Sequence, residues 1–430
     1  MNRLTPPNIL LPKFNSVPCI NEIVLNNGIH SNILNIDKTQ LIRIDFMFKG
    51  GAWVQSTPLQ ALLAFGNLKE GTVNKSAQRI NEIIDYYGAT FSATVSKSFA
   101  VLTLICMEKY LDRLAMLIRE VFDEPAYDNN ELNLKLTQLK TNFCIQEQQV
   151  KSQAEKLFFN TLFGDEHPMA AYPKLNTFDI DFKPLLIDYY NNFIGSGNCE
   201  IFVTGDVNEN SFKVIENIFG NDVWGSKYLC HNINYRMNLF GDISLKPSGR
   251  RDFEMKNKTV QSNVFAGKIM NKANEKEMTE MRITNCLLGG FFGSRLMRNI
   301  REKRGLTYGI YSYILSNHHF NILCISSDTN NSMTDIVIDE IKREVDDLTL
   351  KPIPEQELNT VKNYFSGNLC RTYEANLSLP NALMKMRANG ENLNDLIELQ
   401  NYIVNMSSED IKNCASKFFD PRSFLWCVAS

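Results

Sequence analysis

The chain has 430 residues, of which 44% are hydrophobic and 22% charged, and its formal net charge is -3. That composition is typical of a globular protein and predicts two or three domains of about 150 residues each. Without a dense block of Lys and Arg the chain is not expected to bind nucleic acid, and without an apolar stretch of about 18 residues it is not expected to span a membrane. The first residues hold Pro6, Pro7 and Pro12 but no apolar run of the signal-peptide kind, and the ten cysteines form no CxxC pair, so the cytoplasm is the expected compartment.

The first half of the chain predicts helices around a pair of strands. Residues 76–88 have an amphipathic pattern that a serine begins and a glycine ends, which is typical of a helix. Residues 91–106 are β-like with a polar break, so we expect two strands there. Two further helices are expected at 111–121, where apolar residues recur at helical spacing, and at 129–147, which is more polar.

The second half repeats this order. A helix is expected at 295–304, and two strands with a polar break between them are expected at 308–326. The next helix has Ser332 and Asp335 at the spacing of a capping box, and the last one follows a proline turn at 355–365. Because the same elements recur in the same order, the sequence predicts two homologous domains.

The two halves also end alike, and this sets the predicted boundaries. Each closes on a short apolar strand, at 198–207 and at 422–430. We therefore expect an N-terminal domain at 15–222, a linker without clear periodicity at 223–249 and a C-terminal domain at 250–430. Strands that follow one another closely before the helices cluster favour an α+β class, with a mainly antiparallel sheet in each domain and helices on one face.

Three segments carry a resemblance to a known family. The run NCLLGGFFGSRL at 285–296, continuing to REKRGLTY at 301–308, resembles the C-terminal domain signature of the pitrilysin/insulinase zinc metallopeptidases, or inverzincins. GDEHP at 164–168 and FVTGDV at 202–207 are similar to segments of the family's first domain, so the resemblance spans nearly the whole chain. It implies two homologous α+β domains that face each other like a clam shell.

The chain departs from this family at the zinc motif. Active members carry His-x-x-Glu-His, whose two imidazoles share one helix face and bind zinc. Counting back from the turn at 70–72 places Leu62, Phe65 and Gly66 at the three motif positions, and none of these side chains can bind a metal. The region expected for a third ligand, 135–145, has no Asp, Glu or His, and no two of the five histidines are three or four residues apart: His30, His167, His231, His318 and His319. We expect no cofactor in this chain.

The substrate-holding residues of the family are retained. Arg301 and Tyr308 stand seven residues apart, as in active members, where the resemblance implies that they bind peptide beside the scissile bond. Arg offers a fork of donors to a carbonyl or carboxylate, and a Tyr hydroxyl can donate to an oxyanion. Composition alone favours a solvated helix-end charge for Arg301 and a strand filler for Tyr308, whereas the motif around them favours substrate binding. Gly289 and Gly290 are either a loop that lets a peptide backbone approach or the turn before a helix.

The resemblance implies a function that needs a second chain. We expect a non-catalytic, substrate-binding subunit of a heterodimeric zinc peptidase, inactive alone, whose zinc lies in a paralogous peptidase subunit and whose extended peptide substrate pairs with a strand edge. The alternative is an inert structural or peptide-binding scaffold of the same fold. A self-contained enzyme is disfavoured, because no Ser lies in a Gly-x-Ser-x-Gly elbow and the neighbours Cys230 and His231 do not by themselves make a nucleophile and base.

Overall fold

The chain folds around two β-sheets, one from each half. The computed structural model describes residues 12, 19–36, 40–228, 238, 240, 247–257, 259–317, 319–374, 379–390 and 395–430. Within these residues, no helix combines the length and the apolar character that crossing a bilayer requires. The predicted start at residue 15 and much of the predicted linker 223–249 lie outside them, so the domain boundaries stay a prediction.

The first sheet has six strands in the order β1-β2-β6-β3-β5-β4. All neighbours are antiparallel except β2 and β6, which are parallel. The strands are β1 (Asn21–Val24), β2 (His30–Asn35), β3 (Leu41–Lys49), β4 (Thr90–Val95), β5 (Phe99–Met107) and β6 (Cys199–Gly205).

The second sheet has five strands in the order β7-β11-β8-β10-β9, again with one parallel pair, β7 and β11. Its strands are β7 (Gly249–Phe253), β8 (Gln261–Asn271), β9 (Thr307–Ser316), β10 (Phe320–Asn330) and β11 (Leu425–Ala429). The order β2-β6-β3-β5-β4 of the first sheet corresponds strand for strand to this one, parallel pair included. The predicted α+β class with two mainly antiparallel sheets is therefore confirmed.

Helices lie between and after the strands in both halves. Those of the first half are α1 (Gln60–Leu68), α2 (Ala77–Tyr86), α3 (Leu111–Asp123), α4 (Asn129–Glu147), α5 (Val150–Phe163), α6 (Phe182–Phe193) and α7 (Glu209–Ile215). Those of the second half are α8 (Glu275–Asn285), α9 (Thr334–Leu350), α10 (Glu355–Glu374), α11 (Leu379–Asn389), α12 (Asp395–Asn405) and α13 (Ser408–Phe418). In the described part of the chain, π-helical segments lie at Glu216–Gly220, Cys286–Gly290 and Met297–Lys303, and we call the last the Arg301 helix.

Most predicted elements are found where the pattern places them, with one exception at a helix start. Ser76 caps α2, its side chain accepting a hydrogen bond from the backbone of Arg79 at 3.3 Å. The capping box expected at Ser332 and Asp335 is wrong. Asn330 provides the cap instead, accepting from the backbone of Ser332 at 3.0 Å, and a short 3-10 turn precedes α9.

Each sheet packs its inner face on helices of its own half. In β3, alternation places Ile42, Ile44, Phe46 and Phe48 in one fully buried cluster with α1, α3 and α6. In the second half, residues of β8, β10 and β11 share the corresponding cluster with α8, α9 and α13. Aromatic pairs in the first cluster include Phe48 against Phe65 of α1, with ring centroids 5.4 Å apart.

The opposite face of each sheet is covered by a helix from the other half. Phe158 and Phe159 of α5 belong to a buried cluster with residues of β8, β10 and β11, and the ring centroids of Phe158 and Phe265 are 4.9 Å apart. Leu383 and Met384 of α11 pack against the first sheet. The sequence pattern predicted helices on one face of each sheet; this exchange of helices adds cover to the second face.

A histidine lies where the two halves meet. The Nδ1 atom of His167 accepts a hydrogen bond from the backbone of Met169 at 3.0 Å, so the neutral ring carries its proton on Nε2, which lies 3.2 Å from the carbonyl oxygen of Phe240. Its ring stacks on Phe163 and meets Trp53 edge-on. This confirms the predicted turn with a packed, hydrogen-bonded ring. Burial lowers the pKa of His167, and the nearby charges of Lys97 and His319 lower it further.

Acid is expected to destabilise the fold through His167. The unfolded chain binds a proton near the ordinary histidine pKa of about 6.5, whereas the folded chain binds it at a lower pH. Stability should therefore be independent of this group above about pH 7 and fall as the pH drops below about 6.5, by at most about 1.4 kcal/mol per pH unit.

The measurement is urea unfolding at several pH values between about 5 and 8, the range in which histidine titrates. His167→Asn is the comparison, because an amide oxygen can still cap Met169 but does not titrate. Its stability should fall less than that of the wild type on acidification. Identical pH profiles for the two proteins would rule out this role of His167.

Candidate functional site

The three positions predicted to correspond to the zinc motif lie on α1, and one of them is part of the core. Phe65, at the position of the motif's Glu, is fully buried between Phe48 and Tyr189. Leu62 is 38% exposed, and Gly66 has open space where a side chain would begin. An aromatic ring, an aliphatic side chain and a hydrogen atom offer no ligand to a metal, so these residues do not fit a zinc ion.

The region predicted to lack a third ligand lies on α4, which contacts α1. Such a contact would bring a ligand on α4 towards a motif on α1, and residues 135–145 hold no Asp, Glu or His. Across the described parts of the chain, no three His, Cys, Asp or Glu side chains come together as a metal would require. Two of the chain's five histidines, His231 and His318, lie outside the described residues.

Arg301 lies on the Arg301 helix, which is followed by Gly305. The left-handed conformation of Gly305, with φ of +64°, lets its amide donate to the carbonyl of Arg301 at 3.0 Å and close the helix. The guanidinium of Arg301 lies 5.2 Å from the centre of the Phe292 ring, which is 63% exposed. Among the described residues no carboxylate is within ion-pair distance of Arg301, so its donors remain available to a ligand.

Tyr308 is exposed because β9 carries a bulge at this residue. Thr307 pairs with Thr329 and Gly309 pairs with Asp328, which leaves Tyr308 without a partner in β10. The hydroxyl of Thr307 fixes the bulge, accepting from the amide of Gly309 at 3.1 Å. A bulge redirects a side chain out of the sheet, and Tyr308 is 89% exposed. A filler of the strand interior would be buried, so its exposure is consistent with contact to a ligand.

The structure brings Arg301 and Tyr308 to the same region of the second half, because the Arg301 helix packs against β9. β9 is an edge strand, as β4 is in the first sheet. One part of its edge is already used, since the side-chain amide of Asn285 donates to the carbonyl of Ser312 at 3.2 Å. A peptide that pairs with β9 would therefore have to do so away from Ser312.

The two glycines differ in their surroundings. A Cβ atom on Gly289 would lie 2.6 Å from the hydroxyl of Ser312 and 2.8 Å from its amide nitrogen, so this position permits close packing of a helix on β9. Gly290 is exposed, and a Cβ atom there would lie 3.3 Å from the carbonyl oxygen of Asn285. Packing accounts for Gly289, whereas contact of either glycine with substrate stays a prediction.

Phe292 is the residue that the sequence pattern did not single out. It follows Phe291, whose ring stacks on Tyr364 at 4.6 Å and anchors this segment to α10. The signal was two adjacent aromatic residues between glycines, one of which can be buried while the other is directed to solvent. Only the structure assigns the exposed position to Phe292, under the guanidinium of Arg301.

Comparison with known protein sequences places these features in a family context. Residues 183–365 match the family model of the peptidase M16 inactive domain. An uncharacterized zinc protease of Bacillus subtilis, YmxG, is 24% identical over 330 residues, covering 75% of each chain. A protein of Helicobacter pylori named non-peptidase homolog YmxG is 23% identical over 372 residues, covering 84% of this chain and 82% of that protein.

Solved structures show the same fold at low sequence identity. A peptidase M16 inactive domain from Pseudomonas fluorescens superimposes with a TM-score of 0.82 at 19% identity, covering 95% of this chain and 98% of that one. A protease from Helicobacter pylori gives 0.84 at 16% identity, covering 96% and 100%. The periplasmic protease PqqL from Escherichia coli gives 0.78 at 14% identity, with 99% of this chain covering 47% of that one. Because one such protein is periplasmic, the cytoplasmic location stays a prediction.

Two glycine substitutions should have opposite effects on stability. Gly289→Ala is expected to lower the free energy of unfolding by about 1–3 kcal/mol, because the added methyl group would overlap Ser312. The matched control is Gly66→Ala in α1, where the added methyl group meets open space. This change should raise the free energy of unfolding by up to about 1 kcal/mol, because alanine has the higher helix propensity. Urea unfolding measures both, and a neutral Gly289→Ala would contradict the packing described.

Chelators should leave this chain unchanged. Because Leu62, Phe65 and Gly66 provide no ligands, the purified chain is expected to contain substoichiometric zinc and to keep its unfolding temperature in excess EDTA. Elemental analysis and thermal unfolding are the measurements, with a zinc-bearing relative treated in parallel as the control. Stoichiometric zinc whose removal lowers the unfolding temperature would disprove the interpretation of α1.

Proposed function

Because the chain belongs to the peptidase M16 family, the pitrilysin/insulinase proteins, and matches the model of its inactive domain, we propose that it is the non-catalytic, substrate-binding subunit of a heterodimeric zinc peptidase. In this proposal a paralogous subunit holds the zinc ion, and this chain supplies Arg301 and Tyr308 to an extended peptide in the shared chamber. The chain alone would not hydrolyse peptides.

One contrast carries the proposal. The motif positions on α1 hold residues that cannot bind zinc, and Phe65 among them is buried in the core. Arg301 and Tyr308, in the same chain, are presented outward by a helix end and a bulge, without a carboxylate partner for Arg301 among the described residues. Loss of the metal ligands together with retention of an outward Arg and Tyr favours a subunit that holds substrate but does not activate water.

The chemistry assigned to this chain is binding and charge stabilisation. The fork of Arg301 can donate two parallel hydrogen bonds to a terminal carboxylate, or hydrogen bonds to a peptide carbonyl oxygen, and so fix the substrate in register. The hydroxyl of Tyr308 can donate to the oxygen on which negative charge develops during hydrolysis. Zinc in the partner would supply the Lewis acid.

The alternative proposal is an inert scaffold of the same fold. The name of the Helicobacter pylori relative, non-peptidase homolog, favours it. Under this alternative the chain assembles with a partner or binds peptides without contributing to hydrolysis. The two proposals differ in what happens when Arg301 is removed from an assembled complex.

The test is to co-purify the chain with its zinc-bearing paralogue and to measure cleavage of oxidised insulin B chain. We expect no activity from this chain alone and activity from the complex. Arg301→Ala should lower kcat/KM by about tenfold or more, because a hydrogen bond to a charged group contributes about 1.5–3 kcal/mol. Tyr308→Phe should act mainly on kcat, since the hydroxyl is proposed to bind the charge that develops in the transition state.

The matched control is Lys303→Ala, which removes an exposed positive charge from the same helix. It should leave both assembly and turnover unchanged. Normal turnover by an assembled Arg301→Ala complex would refute the assigned role and leave the scaffold alternative. Cleavage by this chain alone, in the presence of a chelator, would refute both proposals.

A further inference from the structure

We infer that Glu357 and Glu340 are positioning residues. They hold the Arg301 helix through arginines in it and beside it, and they leave the guanidinium of Arg301 free for the peptide. The inference rests on the proposed function of Arg301 and adds to it the residues that set its position. This segment carries four arginines at three-residue intervals: Arg295, Arg298, Arg301 and Arg304.

Glu357, on the first turn of α10, binds two of these arginines. Arg295 donates to it through Nε at 3.1 Å and Nη2 at 2.8 Å, and Arg298 donates through Nη2. The side chains of Arg295 and Glu357 are only 10% and 13% exposed. A bidentate pair shielded from water has fixed geometry, so it attaches the beginning of the helical segment rigidly to α10.

Glu340, on α9, binds the other end. Its carboxylate accepts from the amide of Asn299 at 2.9 Å and lies 3.1 Å from the guanidinium of Arg304, while Arg343 of the same helix approaches at 3.5 Å. The carboxylate is 11% exposed. The Arg301 helix is thus held on both sides of Arg301 by acids from two different helices.

Arg301 is the one arginine of the four that the described carboxylates do not pair with, and it lies over Phe292 instead. Its π-helical segment has a wider turn than an α-helix, so residues three apart no longer share a face as closely. Arg298 and Arg304 face the acids, whereas Arg301 faces Phe292. Because both carboxylates are already engaged, neither is free to neutralise Arg301, and its donors are prepared for a ligand in advance.

The variants are Glu357→Gln, which weakens the contacts to Arg295 and Arg298, and Glu340→Gln, which weakens those to Asn299 and Arg304. Glu355→Gln is the matched control, because Glu355 lies on the same turn of α10 and is exposed. Circular dichroism first establishes that each full-length variant is folded, and Glu340→Gln serves as the test if Glu357→Gln is not.

The first readout is the rate at which phenylglyoxal modifies each arginine in the folded chain, followed by mass spectrometry. Wild-type Arg301 should react about tenfold faster than Arg295, which is nearly buried. Glu357→Gln should change the modification rate of Arg301 by about threefold or more and raise that of Arg295. Glu355→Gln should leave both rates unchanged. If Glu357 contributes only to stability, Glu357→Gln should shift the unfolding midpoint and leave the modification rate of Arg301 in the folded chain unchanged.

The second readout is the Kd for fluorescein-labelled oxidised insulin B chain. Arg301→Ala should raise it by about tenfold and Glu357→Gln by about fivefold, whereas Glu355→Gln should leave it unchanged. If Arg301→Ala weakens binding but Glu357→Gln and Glu340→Gln match the control in both readouts, the positioning role is refuted and the proposed function stands. If no peptide binds but the Arg301 rate still responds to Glu357→Gln, the proposed function fails and the positioning role stands.

Discussion

A β-sheet has two faces, and among the described residues the helices of each half pack mainly on one face of their own sheet. The second face of the first sheet is covered by α11, and that of the second sheet by α5, through residues such as Met384 and Phe158 that are buried against the other half's strands. Burial of apolar surface is the main stabilising contribution to folding. Each half therefore depends on the other to remove its sheet from water, and this mutual cover fixes how the two halves meet.

Buried polar contacts make that cover specific. On the outer face of β3, Arg43 donates to Asp45 at 2.7 Å and 2.8 Å, and it also donates to Asn381 of α11 at 2.6 Å. Burial raises the pKa of Asp45, while the hydrogen bond and charge of Arg43 oppose that rise. Removing one partner of such a buried pair costs about 3–5 kcal/mol, and the hydrogen bond from Arg43 to Asn381 links this pair to α11. Arg387 extends the contact to Glu22 and Glu200.

The helix α1 and the Arg301 helix differ in which of their side chains are buried or paired. On α1, Phe65 stands where the sequence resemblance predicts a general base, and its ring packs beside Phe48 and Tyr189. On the Arg301 helix, the carboxylates of Glu357 and Glu340 engage its neighbours while Arg301 stays unpaired among the described residues. An unpaired guanidinium at the surface contributes little to folding, which suits a residue that binds something else.

The sequence by itself determined the class of the fold, the repeat and the absence of ligands at Leu62, Phe65 and Gly66, because period, turn residues and side-chain chemistry are local properties. It also indicated Arg301 and Tyr308, but not how they are presented. The bulge that exposes Tyr308, the ring of Phe292 under Arg301 and the exchange of α5 and α11 were decided by the tertiary structure. Each depends on residues distant in the chain, and a local pattern carries no information about which distant surface will cover it.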